Sequence, residues 1–250
     1  MKKSHTPFEH ACTPRVILVH GPFTDASSWT AVIRELQTVD IDVIAPAVPL
    51  RGLAHDADYI ASVAEQSDGP VLLVGHSYGG AVTTVVGALA PNVVGLVYIS
   101  AFALDIGESV LDATRLYPDT LLAQALRPAE FRDQNDEPTA DLYLKLDAFH
   151  TIFAADMPAA EAAVAAVSQR PVAAAALDEA ALAAGWKTLP AWYLVTTGDR
   201  VIHPETQRFM ARRAQAKTVE VDASHSVVRS QPTLVAELIG NAARASRRSA

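Results

Sequence analysis

Short runs dense in apolar and β-branched residues recur along the chain, at residues 16–20, 42–46, 71–75, 93–100, 191–197 and 217–222. They are apolar through most of their length instead of alternating. Strands of that kind are buried on both faces, as in a parallel sheet covered by helices. The segments between them fit the crossovers that such a sheet requires. Trp29, Val32, Ile33 and Leu36 repeat at i, i+3, i+4, i+7 behind Asp25, Ser27 and Ser28 as candidate N-caps. Leu234, Val235, Leu238, Ile239 and Ala242 repeat the pattern after Ser230 and Pro232. Residues 78–90 are small and apolar on every side, which predicts a buried helix.

The rhythm breaks between Ala101 and Pro190. That stretch shows no convincing strand, only Ala-rich helical pieces at 159–168 and 172–184 and acidic turns around 133–137. An insertion flanked by the ends of two strands sits where open α/β sheets bind ligands. The predicted fold is therefore α/β: a mostly parallel sheet of about six strands, helices on both faces, and a helical cap. Core segments are expected at 14–100 and 191–243 and the cap at 101–190. Loosely packed tails are expected at 1–13 and 244–250.

Composition narrows the function. The chain has 250 residues, half of them hydrophobic, and a formal net charge of −8. An acidic chain whose one basic run, 244–248, lies at its end is not expected to bind nucleic acid. The single cysteine, Cys12, excludes an internal disulfide and any multi-cysteine metal site. Lys2 and Lys3 precede no apolar h-region before Pro14, and no run approaches the ~18 apolar residues of a membrane span. A soluble cytoplasmic protein without a membrane partner is expected. No cofactor or metal is expected either, since the phosphate-binding glycine motifs and the H-E-x-x-H zinc motif are missing and the histidines lack ligand spacing.

The sharpest chemical signal is Gly75-His76-Ser77-Tyr78-Gly79-Gly80, which ends an apolar run and opens the buried helix. A strand turning sharply into a helix needs tiny residues two before and two after the serine, and Gly75 and Gly79 meet that need. Ser77 then stands at the tip of the turn as a candidate nucleophile. The backbone N–H of Tyr78 points where an oxyanion would form. A serine hydroxyl needs a base. His225 lies just beyond the last predicted strand, where a loop can lower it onto the turn; His203 is the rival. Asp199, in the Gly198-Asp199-Arg200 turn after the preceding strand, can fix the tautomer of His225. Asp105 and Asp222 are the alternative acids. The second oxyanion donor should come from His20-Gly21-Pro22-Phe23; proline has no N–H, which leaves Phe23. His20 and Trp29 read as structural supports of that loop.

These residues resemble the α/β-hydrolase superfamily over about 16–243, and more narrowly its plant methylesterase and hydroxynitrile lyase branch with bacterial relatives. The likeness is carried by VILVHG with Ser28-Trp29, GHSYGG around Ser77, the strand end at 97–102, TTGDRVIHPETQRFMA around Asp199 and DASHSV around His225. The resemblance implies a Ser77–His225–Asp199 triad, an oxyanion hole of the Phe23 and Tyr78 backbones, and a cap lining the acyl and alcohol pockets. Lyase members carry a Lys after the catalytic His and a Thr in the first-strand loop. Here those positions hold Ser226 and Gly21, so ester hydrolysis is favoured.

The expected activity is cleavage of a small, largely apolar carboxylic ester through an acyl-enzyme. The candidate pocket residues are Gly21, Tyr117, Leu146, Phe149, Phe153 and Trp186. Alternatives are carbon–carbon bond cleavage or a cofactor-free perhydrolase reaction on the same triad, and, in another class, a non-catalytic ligand-binding protein. A homodimer is the base-rate expectation for oligomeric state.

Overall fold

The structure, a computed structural model, describes residues 13–117, 120–132 and 135–246. Cys12, His5 and His10 lie outside the described residues, as do 247–250. A six-stranded, wholly parallel sheet runs through the centre in the order β2-β1-β3-β4-β8-β9. Its strands are β1 (Arg15–Val19), β2 (Val43–Ile44), β3 (Val71–Ser77), β4 (Val93–Ala101), β8 (Ala191–Thr196) and β9 (Lys217–Val221). Three further strands, β5 (Leu126–Arg132), β6 (Pro138–Leu144) and β7 (Val172–Ala173), form a separate antiparallel sheet.

The unbroken apolar runs have a direct physical reading. Side chains alternate across a strand, so each central strand feeds two cores. Ile17, Val19, Leu73, Tyr98 and Tyr193 join one; Val16, Leu18, Leu72, Val97 and Trp192 join the other. The first core is closed by α2 (Leu53–Glu65), α3 (Tyr78–Leu89) and α9 (Pro204–Arg213). The second is closed by α1 (Thr30–Gln37), α10 (Val227–Ser230) and α11 (Pro232–Ala245). The outer strands depart from the pattern: β2 has two half-buried residues, and most of β9 is exposed. An edge strand lacks a neighbour on one side, so KTVEV tolerates its charges. The helix α11 extends through Ala245, beyond the expected start of the C-terminal tail.

The region 101–190 is not purely helical. It holds α4 (Val110–Arg115), α5 (Leu122–Ala125), α6 (Leu146–Phe153), α7 (Ala159–Val167) and α8 (Ala174–Asp178), but also the β5–β6 hairpin with β7 on its far edge. The hairpin escapes pattern reading because only one end of it reaches a core, through Leu144, Leu126 and Leu142. Both of its faces meet water, so neither a continuous nor an alternating apolar signal arises in LRPAEFR. The helix expected over 172–184 shrinks to α8. Val172 and Ala173 pair with β6, and Ala173 donates to the Leu50 carbonyl at 2.9 Å, so tertiary pairing overrides alanine's helix propensity.

The insertion is tied to the core along its seam. Arg51 grips Asp141 with two nitrogens, at 2.6 and 3.3 Å. Glu179 accepts from the Leu53 and Ala54 N–H groups at 2.6 and 3.2 Å. Gly52 has no side chain to cap α2, and this carboxylate from the insertion does so instead. Among the described residues, no helix is long and apolar enough to cross a membrane.

Candidate active site

Ser77 closes β3 and caps α3 with φ of 57°, in the left-handed region that a side chain avoids. The elbow leaves room for nothing else. A Cβ on Gly75 would lie 2.5 Å from both Gly79 O and Gly80 N, and one on Gly79 would lie 2.2 Å from Val19 O. Tyr78 is the first residue of α3, so its N–H has no intrahelical partner. Its phenol donates to buried Asp56 at 2.8 Å, which pins the residue after the nucleophile from behind. Burial pushes the Asp56 carboxyl above the ordinary range, against the opposing hydrogen bond from Tyr78.

Asp199 follows β8. Its Oδ1 accepts from the N–H groups of Val201 and Ile202 at 2.7 and 3.0 Å. Its Oδ2 accepts from Gln207 Nε2 at 2.8 Å, from Thr196 Oγ1 at 3.2 Å, and from His225 Nδ1 at 2.8 Å. That last bond turns the second imidazole nitrogen, Nε2, away from Asp199. Nε2 is buried and has no hydrogen-bond partner. The structure thus brings Ser77, His225 and Asp199 to the same end of the sheet, with Ser77 at 5% exposure and His225 at 0%.

The rivals are occupied elsewhere. Asp105 pairs with Lys187 at 2.7 Å, and exposed Asp222 meets only the Thr197 hydroxyl, at 3.5 Å. His203 caps α9 by accepting from Glu205 N–H at 3.1 Å.

Two further buried histidines frame the site, both with pKa values held below the ordinary range. His76 points away from the nucleophile, as a sharp turn requires, and its Nε2 donates to the His225 carbonyl at 2.8 Å. Burial, aided by the neighbouring His225, holds its pKa well below the ordinary value. His20 Nδ1 donates to Gly21 O at 2.9 Å while Nε2 accepts from Val48 N–H at 3.0 Å. Only a neutral ring can do both, and burial lowers its pKa to about 4. Trp29 meets the His76 ring edge-on at 6.2 Å.

The first-strand loop differs from expectation. Phe23 sits at φ of 63°, and its N–H donates to the Arg170 carbonyl at 2.8 Å. The expected second oxyanion donor is therefore already engaged by the insertion. Sequence offers no hint of this, because backbone partners across a fold leave no mark on residue type. Gly21 lies directly against Ser77: a Cβ there would stand 2.7 Å from Ser77 Cβ.

The pocket candidates divide. Phe153 lies on His225, its ring 4.9 Å from the imidazole, and it also meets Phe23 at 6.2 Å and Phe149 at 5.1 Å. Leu146 is largely exposed at the start of α6. Tyr117 stacks on His203 at 5.6 Å on the outer surface. Trp186 donates to Leu104 O at 2.8 Å and lines a groove of about 510 Å³ with Lys187 and Arg213. Two supports went unread in the sequence: Gln207, which is buried beside Asp199, and Asp156, which accepts from Ser224 N–H at 2.9 Å.

An elbow serine, a histidine on the next loop and a saturated buried aspartate, on a parallel sheet with an insertion after β4, define a class. The model of the alpha/beta hydrolase family matches residues 16–238, and the chain belongs to that family. Among curated proteins it is similar to the lipase LipV of Mycobacterium tuberculosis, 34% identical over 132 residues. That match spans 47% of this chain and 48% of LipV, about half the length of each. The fold is shared with a pyrethroid hydrolase from Sphingobium faniae (22% identity, TM-score 0.75, covering 93% of this chain and 98% of that one). It is shared too with a methylesterase from Arabidopsis (16% identity, TM-score 0.75, covering 92% and 99%).

Proposed function

We propose that this hydrolase cleaves small, largely apolar carboxylic esters through an acyl-enzyme on Ser77. The observation that carries the reading is the His225 Nδ1–Asp199 bond at 2.8 Å, beside the strained elbow, with Nε2 left buried and unpartnered. In this reading Nε2 takes the proton from Ser77 Oγ as the oxygen attacks the ester carbonyl. Asp199 stabilises the imidazolium. The oxyanion meets the Tyr78 N–H, and meets the Phe23 N–H once the Arg170 carbonyl gives it up. His225 returns the proton to the departing alcohol. It then activates the water that frees the acid and restores Ser77.

The aromatic wall of Phe23, Phe149 and Phe153 supports an apolar ester. Ser226 follows the base and Gly21 faces the nucleophile, so no cation stands where a lyase would bind cyanide. The test pairs a short-chain nitrophenyl ester panel with intact-mass analysis after fluorophosphonate treatment. One adduct on Ser77, with turnover lost in step, is expected. Folded Ser77→Ala should neither turn over nor label. A Ser77→Ala variant that keeps wild-type turnover would overturn the reading.

A further inference from the structure

The loop that carries the base is held from two sides. On the core side, His76 Nε2 donates to the His225 carbonyl at 2.8 Å. On the other side stands the α6–α7 turn of the insertion. Asp156 in that turn accepts from Ser224 N–H at 2.9 Å and Ser230 Oγ at 2.7 Å, and it also accepts from the Ser224 hydroxyl. Ser224 Oγ in turn accepts from Ser226 N–H at 3.2 Å. The residues immediately before and after His225 are therefore both fixed through one carboxylate. Three residues upstream of that carboxylate, Phe153 lays its ring against the imidazole at 4.9 Å.

Asp156 itself is exposed, while Ser224, His225 and Ser226 are buried. A surface aspartate collecting two donors from the buried loop and a third from Ser230 at the end of α10 is more than a solvated turn residue. Burial alone would raise its carboxyl, yet the hydrogen bonds from Ser224 and Ser230 outweigh that and hold it below the ordinary range, so it is ionised at neutral pH.

We infer that Asp156 is a positioning residue for the base: the insertion, through this carboxylate, sets where His225 stands relative to Ser77. The inference rests on the hydrolase reading above. It means that seating the insertion and aligning the base are one event. A displacement of about 1 Å at a reacting group costs on the order of 100-fold in rate, and the Asp156 contacts govern displacements of that size.

The experiment compares Asp156→Ala, Asp156→Asn and Ser224→Ala with wild type. It reads kcat and KM on the best nitrophenyl ester, the pH profile of kcat/KM, and the low-field proton resonance of the His225–Asp199 hydrogen bond. For Asp156→Ala the expectation is a fall in kcat of about 10- to 100-fold, with KM within about two-fold and the thermal midpoint near wild type. The pH profile of kcat/KM should move with the displaced loop. The low-field proton should shift or broaden. Asp156→Asn keeps the shape and one acceptor and should fall between; Ser224→Ala keeps only the backbone arm and should do likewise.

A merely structural Asp156 would lower the thermal midpoint, or leave turnover intact, with the pH profile and the low-field proton unmoved; either result overturns the inference. If Asp156→Ala does not fold, the other two variants carry the same readouts. Failure of the hydrolase reading looks different, with wild type silent toward ester and fluorophosphonate. The low-field proton still reports on Asp156 in that case, and an unchanged signal in the variants overturns the positioning role independently.

Discussion

Adding one methyl group at Gly21 should disable the site by displacement alone. The new Cβ of Gly21→Ala would stand 2.7 Å from Ser77 Cβ, 3.1 Å from His76 O and 3.2 Å from Ser77 Oγ. Carbon pairs rest at about 3.5–4.0 Å, so about 1 Å of separation must be found. The obstructing atoms are a backbone carbonyl and the base of a side chain, not the free end of a flexible one. Ser77 already occupies a strained φ and is backed by α3, so its Oγ moves with the rest of the elbow. A shift of about 1 Å corresponds to roughly a 100-fold loss in rate, or about 2.7 kcal/mol on the barrier. The crowding should also cost about 1–3 kcal/mol of stability.

The assay is kcat/KM on a nitrophenyl ester and the rate of fluorophosphonate labelling, both read well below the melting midpoint. Gly69→Ala is the matched control, since a Cβ there meets nothing within 4 Å. It should be neutral or slightly stabilising, by about 0.4–1 kcal/mol. Folded Gly21→Ala within two-fold of wild type in both rates would refute the reasoning.

Two further outcomes follow from buried groups. Gln207→Leu removes a donor from Asp199 and strands the Thr196 N–H and Ile202 carbonyl that the amide now satisfies. A loss on the order of 3 kcal/mol is expected, with kcat falling and KM little changed, checked by thermal melts and steady-state kinetics. His20 supplies an acid limb to stability. Its folded value of about 4 lies below the ordinary 6.5, so its contribution is complete above pH 6.5 and is lost as pH falls toward 4. Between pH 7 and pH 5 that ring should cost about 2 kcal/mol. Urea midpoints at the two pH values should show the loss in wild type and a smaller one in His20→Gln; an equal loss in both would exclude His20 as its source.

What could be read from the sequence depended on whether a physical constraint acts on residue type. The elbow was legible because only glycine survives at 75 and 79, and the sheet because strands fed by two cores must be apolar throughout. The contact between Asp199 and His225 was legible only in company with Ser77. The β5–β6 hairpin left no pattern because it has no core of its own. Gln207 lay in plain view within the motif after Asp199, but one buried polar residue on an amphipathic helix looks like its solvated neighbours until its partners are known. The engagement of Phe23 by Arg170 was beyond reach, being a bond between two backbones.

If the proposed ester chemistry holds, the burial of Ser77 and His225 has a consequence for how strongly a substrate is held. In the proposed reading, a molecule reaching Ser77, which is 5% exposed, would need the insertion and core to separate locally, and its binding would be coupled to that opening. The observed dissociation constant is the intrinsic one divided by the fraction of molecules that stand open. Seam contacts such as Arg51–Asp141 and Glu179 on the start of α2 hold the insertion to the core and would lower that fraction. Each net contribution of about 1 kcal/mol there changes apparent affinity roughly five-fold. Selection acting on surface residues far from the ester could thus retune which concentrations the enzyme responds to, while leaving its chemistry and its pocket unchanged.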